Sequence, residues 1–291
     1  YPACYFISWL TVEVLMGGDN PLFKLSAFHT AFNIGNTLLL IGFIPQIERF
    51  VCRILPEKKK EGPGKLQFIT AGLLSTAELS LLEARKEIAL FGTRCMKQFT
   101  YLRTMHDVKK DEEFETLFSK VKKYEMITDN MESEIAHYLQ QVSEGRLSDD
   151  AKRQVQRMLR EIDDLESIGD SCYNVACVFA HKRKSNAGHF TEMQLNSIQT
   201  MEQMVNDALV LMIDTLTQPE GEGHDISKSY KINEEINKLR TYLRDENLYQ
   251  LSQRAYDYQL GAFYIDTING YEKLANYVLN VVQSKARHIR V

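Results

Sequence analysis

The sequence predicts an all-α protein, and three observations carry the prediction. Breakers are scarce, with 6 Pro and 15 Gly in 291 residues, while long stretches are rich in Leu, Glu, Lys and Arg, straight side chains that lose little rotamer freedom in a helix. Apolar residues recur at three/four spacing, as in Met158, Leu159, Ile162, Leu165 and Ile168, which draws one buried stripe on a helix. The segment Asp163–Asn174 returns, weakened, as Asn269–Asn280, an offset of 106 residues throughout. Each copy sets polar residues at steps of three, four and four: Asp163, Glu166, Asp170 and Asn174, then Asn269, Glu272, Asn276 and Asn280. A duplicated helical unit, charged in its first copy and muted in its second, predicts a tandem helical domain.

Residues 1–55 differ from the rest of the chain. Tyr1 to Gly17 holds a single charge, Glu13, and Gly17-Gly18-Asp19-Asn20-Pro21 is a loop signal. Leu25 to Phe50 is mostly apolar, with the dense run Leu38 to Pro45. A membrane helix needs about 20 apolar residues, and this stretch reaches that length if His29, Asn33, Asn36 and Thr37 are included. Those four share one helix face, which in a bilayer would look into a bundle interior or an aqueous path. The competing reading is a buried helix of a soluble domain. Arg49, Arg53, Lys58, Lys59, Lys60 and Lys65 come directly after it and place the C-terminal side of such a helix in the cytoplasm. The chain opens on Tyr1 with no charged region before the first apolar stretch, so a secretion signal is not supported and the sequence reads as part of a longer protein.

Residues 56–74 read as a basic linker, exposed over 56–66 with Pro56, Gly62, Pro63 and Gly64 as breakers. The region 75–291 then divides into six helices. The first is capped by Ser75 or Thr76 and runs to about His106. The second spans Asp111–Ser143 and closes at Gly145, and the third starts behind Ser148 and ends near Lys184. The fourth covers about Phe190–Thr217, ahead of Pro219; the fifth Ser227–Glu246; and the sixth runs from Tyr249 to the basic end at Lys285, Arg287 and Arg290. Short connections predict two antiparallel three-helix bundles, repeat 1 over about 75–185 and repeat 2 over about 189–288.

Chemistry concentrates on two faces. Glu125, Asp129 and Glu132 project from one side of the second helix, and Asp163, Glu166 and Asp170 from one side of the third. Asp129 lies 17 residues before Arg146 and Asp163 17 residues after it, so the hairpin sets both clusters at one height. Six carboxylates between facing helices offer the hard oxygen donors that Mg, Ca or Mn take. The competing reading is a solvated face paired with Lys122, Lys123 or Arg157. In the second repeat, Tyr230, Glu234 and Asn237 stand opposite Glu125, Asp129 and Glu132, so charge thins on both helices together.

Composition bounds the remaining classes. A net charge of −4 leaves no electrostatic footprint for nucleic acid. Five scattered cysteines without a CxxC pair read as reduced thiols rather than a zinc site. No phosphate loop, nucleophile elbow or Cys/His pair is present, so the chain reads as a non-enzyme. A carboxylate-bridged oxidase would want two Glu-x-x-His motifs, and only Glu134 to His137 fits. His106, His137, His181, His189, His224 and His288 read as surface or helix-end residues.

Glu125-x-x-x-Asp129 and Glu166-Ser-Ile-Gly-Asp170-x-x-x-Asn174 resemble the duplicated acidic motif of PhoU domains, and Ala84-Arg85-Lys86-Glu87-Ile88 sits where such a domain begins its first helix. Ala27 to Asn33, running into Ile41-Gly42-Phe43-Ile44-Pro45, is similar to the last membrane segment of bacterial sodium/phosphate cotransporters, one branch of which carries a PhoU-like domain after it. The resemblance implies a terminal transmembrane segment over 1–55 and then a PhoU-like domain, in an inner or plasma membrane with the bundles in the cytoplasm. It implies inorganic phosphate as substrate, sodium as coupling ion, lipid contact, and Mg, Mn, Fe or Zn at the acidic faces of repeat 1. It also allows self-association through the bundles. His29, Asn33, Asn36 and Thr37 are the candidates for a polar transport path. The rival expectation is a PhoU-type adaptor without transport activity.

Overall fold

Among the described residues lie six long helices, and all but one of the breaks between them fall where the sequence places them. The computed structural model describes residues 29–30, 32–37, 41, 66–69, 77–106, 108–145, 147–218 and 226–286. The helices are α1 (Ala77–Met105), α2 (Asp111–Ser143), α3 (Asp149–Lys184), α4 (Glu192–Thr217), α5 (Ser227–Ser252) and α6 (Tyr258–Ala286). The chain divides into two units, Tyr1–Lys59 and Lys60–Val291.

In the first unit, residues 29–30 and 32–37 are helical, and His29, Asn33, Asn36 and Thr37 are all exposed. Among the described residues no helix is long and apolar enough to cross a membrane. The predicted terminal membrane span therefore gains no support, and most of its length, including Leu38–Leu40 and Gly42–Pro45, lies outside the described residues.

In the second unit α1, α2 and α3 pack on one another, and α4, α5 and α6 do the same. The two sets are not independent. The most extensive helix–helix contact joins α3 to α6, α1 also packs on α4, and one continuous core runs through both sets. Gly270 permits this closeness, because a Cβ there would lie 2.3 Å from Val175 Cγ2. Phe99 of α1 and Tyr271 of α6 meet edge to face with ring centroids 6.2 Å apart.

Local signals set the ends. Ser148 accepts a hydrogen bond from the Ala151 N–H, and Thr191 and Gln194 form a reciprocal capping box at α4, two residues later than the predicted Phe190 start. The predicted break between α5 and α6, at Glu246–Tyr249, is misplaced. Helix α5 continues to Ser252 and ends in a Schellman turn: the Ala255 N–H reaches the Gln250 carbonyl and the Arg254 N–H the Leu251 carbonyl, with Arg254 at φ 56°. Glycine usually marks this position in sequence, and an arginine does not.

The end of the linker is docked rather than exposed. Leu66 and Ile69 are buried in the core. The backbone N–H groups of Gln67 and Phe68 donate to Glu87 Oε2 at 2.9 and 2.8 Å, which ties this segment to α1.

Candidate metal site

Helices α2 and α3 approach closely enough for facing side chains to meet because Gly169 has no Cβ. One built there would lie 2.5 Å from Thr128 Oγ1. Thr128 itself is buried and turns its hydroxyl to the Glu125 carbonyl at 2.7 Å. Both residues adjoin the acidic positions: Thr128 precedes Asp129, and Gly169 precedes Asp170.

The close approach brings together Glu125, Asp129 and Asp170. A carboxylate oxygen from each lies within 4.8 Å of the other two. Oxygen ligands on opposite sides of a Mg or Ca ion are about 4–5 Å apart, twice a typical metal–oxygen distance. An all-oxygen set with this spacing fits a single hard cation held by Glu125 and Asp129 of α2 and Asp170 of α3. Glu166, Glu132 and Asp163 are not in that group. They extend the negative face: Asp163 acts on Glu132, and Asp170, Asp129 and Asp163 all act on Glu166.

Electrostatics records the crowding. The carboxyls of Glu125, Asp129, Glu132 and Glu166 are all held above their ordinary range, first by partial burial and then by mutual repulsion. Lys122 offsets this only in part, at Glu125. Among the described residues none of the six forms an ion pair with a Lys or Arg within 4.0 Å. No ion pair with Lys122, Lys123 or Arg157 is formed within that distance, although Lys122 acts on Glu125 and Asp129 is exposed to solvent.

At the corresponding place on the second set, the charge is thinner and spoken for. Glu234 pairs with Lys238 one turn on, at 2.5 Å, and Glu272 accepts from Asn276 Nδ2 at 2.8 Å. Tyr230, opposite Glu125, is exposed.

Three buried polar arrangements carry no signal in sequence. Arg85 of α1 and Glu161 of α3 form an ion pair with both side chains buried. Glu87 of α1 pins residues 67 and 68. His106 is a helix-end residue, as expected, but not a surface one: its side chain is 3% exposed, and Nδ1 lies 3.2 Å from Glu202 Oε1, which also accepts from the Tyr271 hydroxyl at 2.6 Å. Nothing at i±3 or i±4 reports any of these, since each joins separate segments of the chain. Cys95, Cys172 and Cys177 are free thiols; burial pushes Cys95 and Cys172 up, which keeps them protonated and unreactive.

No protein-family model matches the sequence, and no curated protein sequence matches it. Among solved structures, the chain is similar to the crystal structure of the phosphate transport system regulatory protein PhoU from Streptococcus pneumoniae. The TM-score is 0.60 at 17% identity, over 73% of this chain and 96% of that one. At such identity the likeness speaks to architecture, and the architecture is that of PhoU: an all-α, PhoU-like fold.

Proposed function

We propose that this chain is the regulatory, C-terminal part of a sodium-dependent phosphate transporter, and that a metal ion at Glu125, Asp129 and Asp170 sets the state of its helical domain. The observation that carries the reading is the carboxylate triad at the α2–α3 contact of a PhoU-like fold, with no Lys or Arg ion pair among the described residues and with three oxygens inside 4.8 Å of one another. The structural neighbour is a regulator of phosphate transport, which supports a regulatory role here. The apolar, polar-faced segment with its basic flank supports a membrane origin for residues 1–55.

A metal held there would supply positive charge that the protein itself provides only in part, through Lys122 near Glu125. Glu125 and Asp129 are one helical turn apart on α2, and Asp170 faces them from α3, so a bound cation would join the two helices. Regulation then requires the ion, or a partner, to bind two conformations of the transporter unequally. Sodium coupling and phosphate passage would belong to membrane parts outside the described residues, and self-association would use the outer bundle faces.

Elemental analysis of the full chain, purified beside an Asp129→Asn/Asp170→Asn variant, tests the site. Stoichiometric Mg, Mn, Fe or Zn in the parent and its loss in the variant is the expected result. Equal metal in both, or none in either after supplementation, sinks the metal reading. The second reading is a PhoU-type adaptor that acts without transport activity. It is favoured by the lack, among the described residues, of a helix able to cross a membrane. Membrane fractionation of the full chain separates the two: recovery without detergent supports the adaptor, and retention in the membrane the transporter.

A further inference from the structure

Residues 66–69 are fastened to the helical domain by a few groups that can each be named. Leu66 and Ile69 are buried in the core, while Gln67 and Phe68 between them are exposed. Among the described residues no backbone–backbone hydrogen bond holds this segment. Its backbone is held instead by one atom, Glu87 Oε2, which accepts from the Gln67 N–H at 2.9 Å and the Phe68 N–H at 2.8 Å. The segment lies between the boundary at Lys60 and the start of α1, so the chain leading into the helical domain passes through this contact. It shares no residue with the acidic cluster.

The anchor carries opposed terms. Glu87 is fully buried, and its second oxygen, Oε1, is buried without a hydrogen-bond partner among the described residues. Burial pushes the carboxyl above its ordinary range. The Phe68 and Gln67 N–H groups and then Arg94 hold it back only in part, and Glu134 of α2 adds to the rise. Residues 66–69 bring no charge of their own. Closing the contact gains two charge-assisted hydrogen bonds and the burial of two apolar side chains, and it costs the hydration of a carboxylate. Opening it returns water to both oxygens.

We propose that residues 66–69 are a releasable strap latched by Glu87. Closed, the strap sits on Oε2 as in the structure. Open, it leaves Glu87 hydrated and the apolar floor under Leu66 and Ile69 uncovered, while the six helices stay folded. A segment with two buried apolar anchors and no backbone ladder belongs to the low-stability end of a fold, from which moving elements are drawn.

Hydrogen exchange of the full chain, resolved to single amides, tests the latch. The Gln67 and Phe68 amides should be protected at least about tenfold over an unstructured chain, and at least about tenfold less than core amides of α1 such as Phe91 and Cys95. Glu87→Ala should remove the protection of both strap amides and leave α3 and α6 as slow as before. Glu87→Gln keeps an acceptor without the buried charge and should hold the strap at least as firmly as the parent. Leu66→Ala leaves α1 untouched, so it reads the strap even where Glu87→Ala does not fold; protection at 67 and 68 should fall severalfold with the α1 amides unchanged. Strap amides as slow as the α1 core overturn the proposal, as does protection that survives Glu87→Ala, or α1 amides that speed up together with the strap in Leu66→Ala. So does a strap as fast in Glu87→Gln as in Glu87→Ala, because the buried charge would then hold the strap rather than oppose it.

Discussion

The two three-helix sets of this molecule are built on one plan and resolve their polar faces in opposite ways. In the second, Glu234 and Glu272 each have a local partner, Lys238 and Asn276. In the first, six acids share one face with no ion pair to a Lys or Arg among the described residues, and three of them crowd within 4.8 Å. Repulsion that Lys122 offsets only in part lowers stability at the contact of two helices, and a ligand that supplies charge would remove that cost. The second set is thus tuned as structure. The first keeps a mutually repulsive face, the arrangement that the proposed metal would relieve.

The largest expected effect tests how far the first set depends on a buried ion pair. Arg85→Met takes the guanidinium away from the Glu161 carboxylate in the core, and should cost about 3–5 kcal/mol. Glu234→Ala, which breaks the solvent-screened pair of the second set, should leave stability almost unchanged. Chemical denaturation of both variants measures the contrast, and equal losses would erase it.

Gly169→Ala comes next. Its Cβ meets Thr128 Oγ1 at 2.5 Å, so α2 and α3 must part beside Asp129 and Asp170, at about 1–3 kcal/mol. Adding Thr128→Ala should restore much of the loss, and purely additive effects in the double mutant would rule out this contact as the cause. The turn of the second set offers a milder test. Arg254→Gly relieves a residue at φ 56° and should raise stability by about 1 kcal/mol, as read from the denaturation midpoint.

The smallest effect has the most telling sign. Asp129→Asn removes one charge from the crowd and should stabilise the metal-free protein by about 0.2–1 kcal/mol. The pH dependence has the same origin in repulsion. Glu125, Asp129, Glu132 and Glu166 have folded-state values raised above their unfolded ones, so the folded form takes up protons first. Their penalty is complete above the raised values, and it fades as pH falls through them toward the ordinary 4.5 for Glu and 3.8 for Asp. Glu234 runs the other way: Lys238 lowers it, so its stabilisation is present above the ordinary value and is lost as pH falls. Thermal melts of metal-free protein from pH 7 to about pH 5 should therefore show a gain that Asp129→Asn diminishes. A gain of the same size in the variant would argue against the crowded face.

Legibility in sequence tracked the range of the interaction. The turn between α2 and α3 was readable because Gly145 and Ser148 act on their nearest neighbours. The α5–α6 break was not, because Arg254 closes a turn that glycine usually advertises. The acidic faces were readable because residues three and four apart share a side. That Glu125, Asp129 and Asp170 meet while Glu132, Glu166 and Asp163 only extend the face depends on where Gly169 and Thr128 set two helices against each other.

The sequence by itself determined the all-α class, the doubling of the helical unit and the uneven charge of its two copies, because periodicity and repetition are written in local order. Tertiary structure alone decided that the two sets share one core through α3 and α6, and that Arg85 finds Glu161 and His106 finds Glu202. Each of those pairings joins positions far apart in the chain, and a sequence states residue types without stating which distant ones will be brought within a few ångströms of each other.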